Sequence, residues 1–137
     1  MQLRSVLYHD VLPVSAPPEY SGFPGASAYA YKLDGDQFRR HLDQIEQVVA
    51  SRALEVVTIR DAMSRSLRLG VLLTFDDGGV SALTQVAPLL EAKGWRGHFF
   101  VTTDFIGRPG FLNEGQVREL DQRGHIIGSH SRTHPLR

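Results

Sequence analysis

The feature that most constrains this chain is the run Val71-Leu72-Leu73-Thr74-Phe75, which ends abruptly in Asp76-Asp77-Gly78-Gly79. A continuous apolar run of this length, without alternation, suits a parallel strand covered on both faces. A stripe at helical spacing follows, formed by Ala82, Leu83, Val86, Leu89 and Leu90, and Gly94 closes it as a C-terminal stop. His98-Phe99-Phe100-Val101 reads as the next strand. Asn113, with Gln116 three residues later, has the capping-box spacing of a helix start; Gly124 ends that helix, and Ile126-Ile127 begin a last strand. Strand, helix, strand, helix, strand is the rhythm of a parallel sheet or barrel. In such folds the chemistry collects on loops at the C-terminal ends of strands.

Before this stretch, Val6-Leu7-Tyr8 reads as a short strand. Residues 13–24 hold Pro13, Pro17, Pro18, Pro24 and Gly22, and are expected to form an irregular loop. Asp34 or Asp36 caps a helix in which Phe38, Leu42, Ile45, Val48 and Val49 recur on one face. Residues 54–59 are β-branched and apolar, and predict a further strand. A length of 137 residues suits one domain: a leading strand and loop over 1–33, then β/α units over 34–137.

Charge narrows the function. Lys plus Arg and Asp plus Glu number 15 each, so the chain lacks the basic excess that phosphate neutralisation needs, and a nucleic-acid partner is not expected. No apolar run approaches the roughly 18 residues of a membrane span. The start, Met1 to His9, lacks the apolar core of a signal peptide, which makes a cytoplasmic location the default expectation. With no cysteine, any metal must sit on His, Asp or Glu.

Two constellations carry chemistry. Asp76-Asp77 follows the buried strand; by itself such a pair is as consistent with a turn or helix start as with catalysis. Beside a cation, one carboxylate can ligate and the other can act as a base. His130 and His134, four apart, could reach one ion from a helix face or from a tight loop, and Pro135 disfavours helical geometry at His134. Two imidazoles and a carboxylate form a common zinc set and also the non-haem iron triad. Ligand type leaves zinc, iron, cobalt and manganese open, with zinc as first choice. His9 is a candidate for lining the site, and Arg132 and Trp95 for touching a substrate, though packing or solvation is the plainer reading of all three. His98 reads as structural, and His41 and His125 as surface residues.

Taken together, Thr74-Phe75-Asp76-Asp77-Gly78 and Ser129-His130-Ser131-Arg132-Thr133-His134-Pro135 resemble the polysaccharide deacetylase family, the NodB-homology domain or carbohydrate esterase family four. Tyr8-His9-Asp10, Gly97-His98-Phe99-Phe100-Val101 and the helix around Phe38 and Leu42 are similar to it as well. The resemblance implies an α/β fold, an incomplete (β/α) barrel with parallel strands and flanking helices. It implies metal-dependent removal of acetyl groups from an N-acetylated or O-acetylated polysaccharide or oligosaccharide. Asp77, His130 and His134 would hold the metal and Asp76 would be the general base. Ser129 and Ser131 would shape the loop, and Thr133 would brace it. The family's general acid, a histidine on a later strand, has no counterpart up to Arg137, so the expectation is the front part of a longer domain, with an unpaired strand edge. Two other readings stand beside this one. The first is an incomplete remnant that binds metal or carbohydrate without turnover. The second, a non-haem iron protein, is disfavoured by the α/β rhythm.

Overall fold

The computed structural model describes residues 2–65 and 69–135. Along the chain the strands are β1 (Gln2–Tyr8), β2 (Val11–Leu12), β3 (Leu33–Asp34), β4 (Glu55–Val56), β5 (Leu69–Phe75), β6 (His98–Val101) and β7 (Ile126–Ser129). Between them lie the helices α1 (Ala26–Tyr29), α2 (Gly35–Ser51), α3 (Ile59–Ser64), α4 (Ala87–Ala92) and α5 (Glu114–Gln122). The run that the sequence singles out is the centre of a five-stranded parallel sheet. β1 pairs along the whole of β5, from Gln2 opposite Leu69 to Tyr8 opposite Phe75. The other edge of β5 is divided: β4 meets Gly70 and Val71, and β6 meets Thr74 and Phe75. β7 lies beyond β6. Among the described residues β1 and β7 each have a single partner, so the expected open edge is present. β2 and β3 form a separate parallel pair.

The core gathers residues of β1, β5 and β6 with those of the helices α2, α4 and α5. Tyr8, Phe75 and Phe99 sit opposite one another on β1, β5 and β6 and stack in series, with ring centroids 5.5 and 5.2 Å apart. Phe38 of α2 meets Tyr8 and Phe75 edge-on. Each fully buried Phe contributes about 1.5–3 kcal/mol through apolar burial, with a further increment for ring geometry. Asp34 caps α2, accepting from the Asp36 and Gln37 amides while Gln37 reaches back. The buried stripe runs through Phe38, Leu42 and Val49, with Ile45 packed against it; Val48 points outward instead, because the stripe is narrower than the apolar run. α4 continues from a widened turn over Ala82–Val86 and is tied to α2 by Lys93, which pairs with Asp43 and Glu46.

The strand expected over residues 54–59 is mostly not a strand. Only Glu55 and Val56 pair, and Thr58 starts α3. Its hydroxyl accepts from the Asp61 amide while Asp61 accepts from the Thr58 amide. That capping box outweighs the β-branched composition around it.

His98 and His125 are both buried, at 3% and 0% exposed. For His98 this agrees with the sequence reading; for His125 it overturns the surface assignment. His98 Nδ1 faces the Leu73 carbonyl at 3.1 Å, and its Nε2 accepts from the Ile59 amide at 3.0 Å, so Nδ1 carries the proton. The ring therefore fills the stretch of β5 edge between β4 and β6 and fastens the start of α3 there. His125 has the opposite tautomer. Its Nδ1 accepts from the Gly97 amide, and its Nε2 donates to Glu91, which Arg123 also grips with two nitrogens. Arg123 is the chief reason that the Glu91 carboxyl is held down at about 2.

Burial pushes both imidazoles below the ordinary histidine range. A depressed folded value means that the unfolded chain takes up protons first as pH falls, so the contribution of these rings is full above about pH 6.5 and is lost below it. Stability by urea unfolding should thus decline from pH 7 toward pH 5. His125→Gln should lower stability at pH 7 by about 1–3 kcal/mol, the cost of unmatched buried groups, and flatten the decline. A slope unchanged by His125→Gln would remove that ring from the account.

Candidate metal centre

The β5 ladder ends where the Asp76 amide donates to the Tyr8 carbonyl at 2.9 Å. The next residue, Asp77, turns into the left-handed region at φ 76°, followed by Gly78 at φ 83°. Gly78 must be glycine on two counts. Its φ is positive, and an added Cβ would lie 2.8 Å from Val101 Cγ1. The turn is stitched from outside: Thr102 donates to the Asp77 carbonyl, Leu112 to that of Gly78, and Val80 to that of Gly110. The second constellation leaves β7 as a tight loop, not a helix. Ser131 and His134 have φ of 65° and 51°. The His130 amide donates to the Val101 carbonyl, and Thr103 and Asp104 donate to the carbonyls of Ser131 and Arg132. Within the loop, the Ser131 hydroxyl accepts from the His134 amide. Non-glycine residues with positive φ cost of order 1–3 kcal/mol each and persist where the surroundings hold them.

These two turns bring Asp77, His130 and His134 together, with one ligand atom of each within 4.8 Å of the others. Asp77 Oδ1 lies 3.5 Å from His130 Nε2 and 3.4 Å from His134 Nε2. A tetrahedral ion with ligands at about 2.0–2.1 Å would separate them by roughly 3.3–3.4 Å. Asp77 is 7% exposed, and its Oδ1 has no hydrogen-bond partner. A buried carboxylate oxygen without a donor is costly unless a positive charge meets it. The donor set therefore fits a divalent cation. Burial pushes the Asp77 carboxyl above the usual carboxylate range, and the imidazoles of His9, His134 and His130 act against that shift. Asp76 is less buried; its Oδ2 lies 3.7 Å from His130 Nδ1, too far for a hydrogen bond.

Several site residues were not legible in the sequence. Asp10, 2% exposed, accepts through Oδ1 from the hydroxyls of Ser21 and Ser81 at 2.6 and 2.9 Å. Ser21 in turn accepts from the Ser81 amide, and Ser81 from the Val11 amide. Asp10 is wedged between Gly22 and Gly79, where any Cβ would overlap its carboxylate. Phe23 stacks on His134 with centroids 4.5 Å apart at 28°, and its edges meet Phe105 and Phe111. A cleft of about 850 Å³ opens over Asp77 and His134, lined also by His9, Phe23, Tyr31 and Lys32. His9 thus lines the site, stacked on Tyr31. Arg132 points away into an exposed pair with Asp104, and Trp95 packs on the core, so neither touches the cleft.

The polysaccharide deacetylase family model matches residues 68–137, just over half of the chain. This chain belongs to the polysaccharide deacetylase family. Among curated relatives, the chitin deacetylase of Colletotrichum lindemuthianum is 32% identical over 66 residues, 47% of this chain and 27% of that protein. The fold is similar to IcaB from Ammonifex degensii, with TM-score 0.69 and 28% identity over 93% of this chain and 52% of that one. It also resembles the Streptococcus pyogenes deacetylase PplD in complex with acetate, at TM-score 0.72 and 20% identity over 98% of this chain and 58% of that one. The chain thus spans about a quarter of the curated relatives and about half of these family structures.

The Asp10 knot makes a stability prediction for this deacetylase-family chain. Gly79→Ala drives a methyl into the Asp10 carboxylate. It should cost about 1–3 kcal/mol in urea unfolding, as overpacking usually does. An unchanged midpoint would show that the knot yields freely.

Proposed function

We propose that Asp77, His130 and His134 hold a divalent metal ion, zinc in the first instance, and that this centre serves removal of acetyl groups from an N-acetylated polysaccharide. The observation that carries the reading is the bare, buried Asp77 Oδ1 facing two imidazole nitrogens at 3.5 and 3.4 Å. Family membership supports the reaction class. When bound, such an ion supplies Lewis acidity toward an acyl carbonyl and toward water.

The chain's own residues do the rest. Hydrolysis adds water across the amide: the acetyl carbon gains an oxygen, the nitrogen gains a proton, and acetate leaves. Asp76 takes the proton from the attacking water. It stands next to a ligand in sequence, and its Oδ2 lies 3.7 Å from His130 Nδ1, too far for a close hydrogen bond. Asp77 and the two histidines would hold the ion beside the cleft. The cleft over them has the volume and mixed apolar and polar lining of a small-ligand site, and His9, Phe23 and Tyr31 offer rings to a sugar.

Zinc titration by calorimetry tests the ligands. Asp77→Ala and His134→Ala should each abolish tight binding, since each removes one of three protein ligands; unchanged affinity in either would sink the assignment. Asp76→Asn should keep the ion and lose acetate release from a chitin oligomer. Full turnover in Asp76→Asn would remove Asp76 as base. Tight metal binding by the parent with no acetate released would favour the reading of binding without turnover.

A further inference from the structure

Lys32 does nothing in the scheme above, yet it lines the cleft and its Nζ is fully committed. It donates to the main-chain carbonyls of Pro18, Ser21 and Phe23 at 2.8, 2.5 and 2.8 Å. An ammonium has three donors and no acceptor, so these bonds use its whole capacity. The three carbonyls belong to one irregular loop, and Lys32 is the side chain that cross-links it. The loop is also held where Gly22 donates to the Gly110 carbonyl, where Ser21 joins the Asp10 knot, and where the Tyr20 and Glu19 side chains pair with Thr84 and Tyr29. Phe23 follows directly and carries the ring that stacks on His134. His134 needs such support, because its backbone is held at φ 51° and the Ser131 hydroxyl braces its amide, not its ring.

We infer that Lys32 is a positioning residue for the metal centre: by gathering the carbonyls of Pro18, Ser21 and Phe23 it sets the Phe23 ring, and the Phe23 ring fixes the imidazole of His134 toward Asp77. The inference rests on the reading of His134 as a metal ligand. Lys32 touches neither the ion nor the reacting atoms. Its effect passes through one aromatic face, as outer groups around metal sites commonly act by orienting a ligand.

The test uses the whole chain in two states. In the metal-free protein, the Phe23 ring should shift the His134 imidazole proton resonances upfield, and His130, which does not stack on Phe23, serves as internal reference. Lys32→Met should abolish that shift and raise the zinc dissociation constant about tenfold or more, the range usual for outer groups. Phe23→Leu should do the same directly, and the double variant should be no worse than Phe23→Leu alone, because both act through one contact. A Lys32→Met protein that unfolds more easily yet keeps the His134 resonances and the zinc affinity overturns the inference. So does a double variant in which the two losses multiply. Should Lys32→Met fail to fold, Lys32→Gln is judged by the same criteria. A parent chain that binds no zinc sinks the metal reading, while the metal-free resonances still decide whether Lys32 sets the Phe23 stack.

Discussion

The site depends on where the hydrogen-bond ladder of β5 stops. Up to Phe75 the strand is held by β1 along one edge and by β4 and β6 along the other, and the stacked series Tyr8, Phe75 and Phe99 runs across the three strands at one register. One residue later the chain has a last rung to Tyr8 and must turn. A turn at the end of a rigid, doubly covered strand places its side chains far more exactly than a free loop could. Asp77 inherits that precision, and the loop after β7 reaches it because both are stitched to the same segment at the end of β6.

Two buried carboxylates next to this turn are treated in opposite ways. Asp10 is supplied with donors: two hydroxyls donate to one of its oxygens, and two glycines make room for it. Asp77 is left with an oxygen that no donor meets. Burying either group without partners would cost several kcal/mol, so the contrast is informative about role. A carboxylate that organises the fold receives its donors from the fold. Asp77 instead faces two imidazole nitrogens at 3.5 and 3.4 Å, beyond close hydrogen-bond contact.

The sequence made the sheet legible because its evidence is local: a doubly buried strand is an apolar run, and caps such as Asn113 with Gln116 are spelled out in order. The residues that the structure clusters at the candidate centre could be singled out for a related reason, since each motif sits directly after a strand. What failed was long-range. His125 gives no sign of its burial, because Glu91 and Gly97, its partners, lie 34 and 28 residues away. Lys32 reads as an ordinary surface lysine until three carbonyls of a proline-rich loop close on it. Thr58 shows the remaining kind of failure, in which two local signals compete and the cap prevails over the β-branched run.

His98 shows how a single tautomer can decide the reach of a sheet. Between β4 and β6 a side chain replaces a main-chain rung, donating to Leu73 and accepting from Ile59. An imidazole can do both only while one nitrogen is bare. Neither an apolar residue of the same volume nor a permanently charged one could bridge that gap. The attachment of α3 to the sheet is thus written in one proton on β6, and position 98 tolerates far less chemical variety than its place deep in an apolar strand would suggest.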